Sequence, residues 1–346
     1  MTRNRPVWLF GLLLALAVLY CTADARAAEG EAPIWVFQIE NDFFAQLTNT
    51  DRHYTNGVRL SRVSPPGEVP GWLGAMAAVP SNFGPAGEPY SQRWAVSVGH
   101  SMFTPDDTDA VALVPDDRPY AAWLYLGFSV HSVYEDVEGA ARQDVFSIEA
   151  GIVGPSALGE QIQNSYHDLI GVDLSYGWDN QLKDELGVKL GFIRKWRSVH
   201  WDVSADGRYE SDVIPHVAVT LGNIATDAGI GGLIRFGENL KDDFGPPRIR
   251  PGLPGSETFG RTGGLDWYLF AGGELRAVAR DIFLDGNSLK DSHSIDKEPL
   301  VVDLQSGFAL LFNHFRLTYT HVLVSPEFRQ QSQWDQYGAL TLSLNF

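Results

Sequence analysis

The chain reads as an all-β protein, a transmembrane antiparallel β-barrel of about 12 strands with a short helix on its extracellular rim. Three features predict this class: an export signal at the start, an amphipathic strand at the very end, and a period-two alternation of side chains that recurs between them. At the start, Arg3 and Arg5 precede an apolar run from Val7 to Leu19, and Ala25-Arg26-Ala27 supplies the small-x-small pattern at which export signals are cut. That run is too short for a spanning helix, which needs ~20 residues. Residues 1–27 are therefore expected to be a signal peptide and 28–346 a single barrel domain. Cleavage would remove Cys21, the only cysteine, so neither disulfide nor thiol chemistry is expected in the exported chain; Tyr20 before it is too bulky for a lipidation site. The formal charge of −17 becomes −19 once three arginines and one aspartate leave with the signal. Such an acidic chain is a poor partner for nucleic acid and suits a surface that works beside divalent cations.

At the other end, Leu340, Leu342, Leu344 and Phe346 alternate with Ala339, Thr341, Ser343 and Asn345. A last strand closing on an aromatic resembles the signal by which the barrel-assembly machinery of bacterial outer membranes recognises its clients. The export signal, the lack of any later apolar run of spanning length and the recurrence of the pattern favour this over an ordinary soluble edge strand.

Period-two segments fall at about 34–41, 54–63, 91–102, 120–134, 143–153, 186–197, 209–221, 226–237, 264–278, 300–312, 314–325 and 335–346. In the fourth, Leu124, Leu126, Phe128 and Val130 are expected to face lipid, with Gly127, Ser129 and His131 facing inward. Trp35, Trp94, Trp123, Tyr134, Trp196, Trp267 and Tyr337 lie near strand ends, where interfacial girdles are expected. An even number of strands keeps both termini in the periplasm and leaves no unpaired edge in hydrocarbon. If the first strand runs outward, the connections 42–53, 103–119 and 154–185 share the outer rim, whereas 64–90 and 238–263 become periplasmic connections of unusual length.

One segment breaks the strand period. After Gly154-Pro155, residues Leu158, Ile162, Tyr166, Leu169 and Ile170 recur at helical spacing, and Glu160, Gln163, Asn164 and His167 share another face. Ser156 is the expected N-cap and Gly171 the stop. Ser156 lacks the second glycine of a nucleophile elbow, so a cap is the better reading of it. Two further motifs, Glu40-Asn41-Asp42-Phe43-Phe44 and Asp51-Arg52-His53-Tyr54-Thr55-Asn56-Gly57, gather an amide, carboxylates and a hydroxyl where strands meet the same rim. That grouping suits a hydrolytic or metal site.

These motifs, with Asp117-Arg118-Pro119-Tyr120-Ala121, Gly154-Pro155-Ser156-Ala157 and Gly177-Trp178-Asp179-Asn180-Gln181-Leu182, resemble the lipid A 3-O-deacylase family of the outer membrane. The resemblance spans nearly the whole mature chain. It implies a barrel of about 12 strands with a Ca²⁺ site near the outer leaflet, acting on lipid A of lipopolysaccharide to remove the acyloxyacyl group at its 3-position. The family's functional positions fall on Asn41, Asp42, Thr55, Arg118, Gln163 and His167, with a further acidic position near Asp173. The chemistry suggests roles. His167 is a base for water and Gln163 orients water or substrate. Asp42, Asn41 and Asp173 are metal ligands, Thr55 contacts oxyanion or substrate, and Arg118 holds a lipid A phosphate. Two other classes stay open: a passive porin or scaffold, which leaves the rim cluster without a task, and an outer-membrane phospholipase, for which Ser129 and His131 are the nearest serine and histidine on one strand face.

Overall fold

The computed structural model describes residues 32–46, 52–67, 69–79, 89–135, 141–197, 199–249, 258–260 and 263–346; the expected signal segment lies outside them. In lipid every backbone N–H and C=O of a strand needs a neighbour, and a closed sheet supplies one. The strands are β1 (Ile34–Asn41), β2 (His53–Val63), β3 (Ser91–Thr104), β4 (Ala121–Glu135), β5 (Ala141–Val153), β6 (Glu185–Arg197), β7 (Val199–Asp202), β8 (Glu210–Gly222), β9 (Ala225–Gly237), β10 (Leu265–Asp281), β11 (Leu300–Phe312), β12 (Phe315–Val324) and β13 (Asp335–Asn345). Each pairs with its neighbours in an antiparallel sense, β1 closes on β13, and β6 reaches past the four-residue β7 to pair with β8. Twelve long strands thus form a closed barrel, with β7 an extra stave along one end of β8. The expected bounds hold to within two residues except at β10, which continues to Asp281.

Ile34 pairs with Asn345, so the start of β1 and the end of β13 lie at one end, here the near end. The connections after β1, β3 and β5 all open on the opposite, far rim, as expected. The wall alternates as the pattern requires: on β4, Leu126 is exposed, whereas Tyr125, Gly127, Ser129 and His131 are buried. Two aromatics assigned to the girdles instead point inward. Trp123 stacks on Tyr125 at 4.2 Å, and Tyr337 meets Tyr54 edge-on at 4.9 Å, because each falls on the lumenal phase of its strand.

The interior is a filled core. Near the far rim, Tyr54, Phe103, Trp123, Tyr125, Ile282, Phe283, Val322 and Tyr337 belong to one apolar cluster, with Phe103 stacked on Phe283 at 3.9 Å. A second cluster fills the near end with inward residues such as Val36, Ile214, Leu233 and Phe270. Leu240, Phe244 and Phe259 of the long connection after β9 belong to that cluster, so this connection turns into the barrel rather than hanging below it. It climbs the lumen: Asp243 pairs with Arg235 and Arg316, Arg248 donates to the Tyr337 hydroxyl at 2.8 Å, and the Ile249 amide donates to Glu40 Oε1 at 2.9 Å. Because Arg316 is the second residue of β12 and Glu40 the last but one of β1, seven residues of plug cover most of the depth of the wall. The other long connection stays outside. Its Trp72 lies edge-on to the outward Phe128 at 5.3 Å, and the helix α2 (Gly74–Ala78) after it packs on β4.

Candidate active site

At the far rim β1 ends on Asn41 and the chain turns through a short helix, α1 (Phe43–Gln46). Asn41 fastens this turn in both directions: its Nδ2 donates to the Thr55 carbonyl and its Oδ1 accepts from the Phe43 amide, each at 2.9 Å. The buried Asp42 carboxylate accepts from the Phe43 amide at 2.9 Å and from the Arg52 amide at 3.1 Å. Backbone donors therefore aim it. Opposite, the pairing of β2 with β3 shifts register between Tyr54 and Asn56, leaving Thr55 as the extra residue of a β-bulge. The bulge breaks the alternation, so that His53, Tyr54 and Thr55 are all buried, a device by which sheet edges re-aim a side chain. Thr55 Oγ1 lies 2.8 Å from Thr104 Oγ1, and the Tyr54 hydroxyl donates to Glu40 Oε2 at 2.9 Å.

His53 sits in the left-handed region at φ 61°, with Nδ1 2.7 Å from Asp335 and Nε2 3.5 Å from Asp117. It ties β2 to β13 and to the loop after β3. Burial alone would raise the pKa of Asp117, but the His53 contact and the amides of Asp106 and Arg118 outweigh it and hold this carboxyl below the usual range. Arg118 is fully enclosed between the rings of Phe103 and Phe328, at 5.5 and 5.8 Å, and donates to Glu327 at 3.0 Å. Its burial lowers its pKa, partly offset by Asp281, Asp335 and Asp117, without threatening its charge.

The expected helix is α3, Gly159–Ile170, and it stops at Gly171 as anticipated, in the left-handed conformation at φ 74°. It starts later than expected. Ser156 is not its cap: a 3₁₀ turn, Pro155–Ala157, intervenes, Leu158 takes the capping position at φ 63°, and the Ser156 hydroxyl and amide both donate to Asp184 at 2.8 Å. The orientation of α3 divides both its polar and its apolar residues. Gln163 and His167 are 2% and 5% exposed, whereas Tyr166 and Leu169 are 56% and 72% exposed. Ile162 packs inward beside Gln163, and Tyr166 and Leu169 share the outer side with Glu160, Gln161 and Asp168.

The polar stripe is held by directed bonds. Trp178, which a girdle reading would have sent to lipid, is buried against Tyr120, and its Nε1 donates to Gln163 Oε1 at 2.8 Å. His167 Nδ1 lies 2.6 Å from the Asp173 carbonyl, which can only accept, so in the neutral ring Nδ1 carries the proton and Nε2 is the basic nitrogen. Asn164 clips the following loop through the Ser175 carbonyl and amide, at 3.1 and 2.9 Å.

The structure thus joins Asn41, Asp42 and Thr55 at the tops of β1 and β2, and Gln163 with His167 on the buried face of α3. Asp173 contributes its carbonyl, and its side chain is exposed. Arg118 turns to Glu327. Thr104 belongs to the same framework and escapes sequence reasoning, because it reads as an ordinary strand-end residue until the register is known.

A closed antiparallel barrel of twelve long strands, with large apolar side chains such as Leu126, Ile230 and Leu269 exposed on its outer face, is the architecture of an outer-membrane β-barrel protein. The family model for the outer membrane protein LpxR matches residues 10–346, and the chain belongs to that family. In fold it is similar to LpxR from Salmonella typhimurium, at 18% identity and a TM-score of 0.70, with 90% of this chain and 100% of that one covered. The β domain of the Bordetella autotransporter BrkA is more distant, at 8% identity and a TM-score of 0.47 over 91% of this chain and 100% of that one. A comparison with curated proteins finds no match. The family the sequence resembles is the one to which the chain belongs.

Proposed function

We propose that the chain is a calcium-dependent esterase that removes the acyloxyacyl chain ester-linked at the 3-position of lipid A, with the far rim facing the outer leaflet. The observation that carries this reading is the helix α3 in a member of this family. Tyr166 and Leu169 are exposed on its outer side, where acyl chains would lie, and its buried side carries a histidine whose tautomer is set for base catalysis.

In this mechanism His167 Nε2 takes a proton from water as the water oxygen bonds to the ester carbonyl carbon and the carbonyl π electrons move to oxygen. Collapse of the tetrahedral intermediate restores the carbonyl and breaks the bond to the 3-oxygen of the sugar. The imidazolium then returns its proton to that oxygen. Gln163, pinned by Trp178, orients the water, and the Thr55 hydroxyl donates to the oxyanion. Asn41, Asp42 and Thr55 offer only oxygen donors, and Asp42 is buried and aimed by amides, a set that suits a hard cation such as calcium. Bound by Asp42 and Asn41, calcium would supply positive charge for the oxyanion. Asp173 serves through its carbonyl, by orienting His167. Arg118 Nε and Nη1 have no hydrogen-bond partner among the described residues and are the donors a lipid A phosphate would meet once the rim opens.

The filled lumen counts against a porin. A phospholipase built on Ser129 and His131 fares no better: the two are hydrogen-bonded at 2.9 Å, but both are buried inside the barrel wall, out of reach of a lipid. The deciding experiment is mass spectrometry of lipid A after incubation with the refolded protein. Loss of the 3-linked chain is expected with calcium, less of it with magnesium, and none in excess chelator. Equal cleavage in chelator would remove the metal role of Asp42.

A further inference from the structure

At the near end, far from the rim chemistry, β7 pairs with β8 so that His200 stands opposite Asp212 and Asp202 opposite Glu210. Residues two apart on a strand share a face, and so do cross-strand partners; the register therefore forces His200, Asp202 and Glu210 onto one side of the ribbon. One ligand atom from each lies within 4.8 Å of the others, and His200 Nε2 is 4.0 Å from Glu210 Oε1. The arrangement is unfavourable as it stands. Like charges directly opposite each other destabilise a strand pair. Asp202 has no hydrogen-bond or ion-pair partner among the described residues, and the nearest cation to Glu210, Lys241 Nζ, is 4.0 Å away on an exposed side chain.

We propose that His200, Asp202 and Glu210 bind a divalent transition-metal ion of the zinc type. One imidazole nitrogen and two carboxylates form a mixed donor set that suits zinc better than calcium, with water completing the shell. The ion relieves the repulsion between Asp202 and Glu210 and fastens the ribbon. It also fastens the plug, because Glu210 Oε2 accepts from the amide of Leu240, where the plug begins, at 3.2 Å.

The test is a zinc titration of the full chain, folded in detergent, against a chromophoric chelator. The wild type is expected to take up one equivalent. His200→Ala and the nearly isosteric Asp202→Asn should each weaken uptake at least ~10-fold, since even residues that only support a metal ligand cost about that much when removed. Asp42→Ala, at the opposite rim, should keep the site, as should calcium in excess. Zinc should raise the unfolding temperature of the wild type and leave that of His200→Ala unchanged. No uptake by the wild type, equal uptake by the His200 and Asp202 variants, or loss of uptake in Asp42→Ala would each overturn the assignment.

Discussion

The barrel buries polar groups in two regions and holds them in different ways. In the lumen, charge meets charge: Arg235 is gripped by Asp212 and Asp243, Arg276 by Asp303, and Lys189 by Glu149 at 2.6 Å. At the far rim charge pairs such as Arg118–Glu327 stand beside three groups with neutral, directional partners: a carbonyl for His167, an indole for Gln163, and two backbone amides for Asp42. Charge pairs in low dielectric lock a wall, because removing either member strands the other. A single directed bond fixes the orientation of a group and costs little of its reactivity. The contrast marks the lumen as structure and the rim as chemistry.

Substitutions can break that contrast. The largest effect is expected at the rim: His167→Ala should lower deacylation by roughly 10²- to 10⁴-fold, the usual worth of a general base, while the folded barrel keeps its heat-modifiable migration in electrophoresis. Activity above about a tenth of wild type would remove His167 from the role of base. In the lumen the readout should switch. Asp243→Ala leaves Arg235 and Arg316 short of a carboxylate and should cost about 3–5 kcal/mol in unfolding from lipid vesicles, with little change in the activity of the fraction that remains folded. A variant that lost activity with stability intact would mean that the plug takes part in the chemistry. The smallest and most discriminating change is Trp178→Phe, which deletes one hydrogen bond to Gln163, worth ~1 kcal/mol. It should lower kcat by several-fold, with KM and melting unchanged.

The same contrast explains what could be read from the chain before its structure. The strands were legible because alternation is a local property: Leu126 and His131 declare their sides within a few residues. The rim motifs were legible for the same reason, since Asn41, Asp42 and Thr55 sit where strand gives way to loop. The orientation of α3 was not. Tyr166 and Leu169 read with Ile162 as one apolar face, whereas the fold packs Ile162 inward beside Gln163 and His167 and leaves Tyr166 and Leu169 exposed with Glu160 and Asp168. The role of Trp178 was equally hidden, because an aromatic in a rim loop also suits a girdle, and only the fold shows it bound to Gln163. The plug was invisible for a different reason. Its recognition depends largely on Arg316, Tyr337 and Glu40, all distant in sequence, and nothing local distinguishes a long connection that hangs below the barrel from one that climbs into it. The bulge at Thr55 depends likewise on its partner strand.

The plug also constrains the order in which this molecule can be built. It is synthesised between β9 and β10, yet its tip binds Glu40 on β1 and Tyr337 on β13, the two strands that form the seam. Bonds across such separations form late, because the loops they close are long. A seam zipped over an empty interior would shut residues 243–249 out, with Arg235 and Arg316 left facing a void. Closure must therefore wait for the filling, and the last strand pair to form is a latch on a barrel that has already been packed.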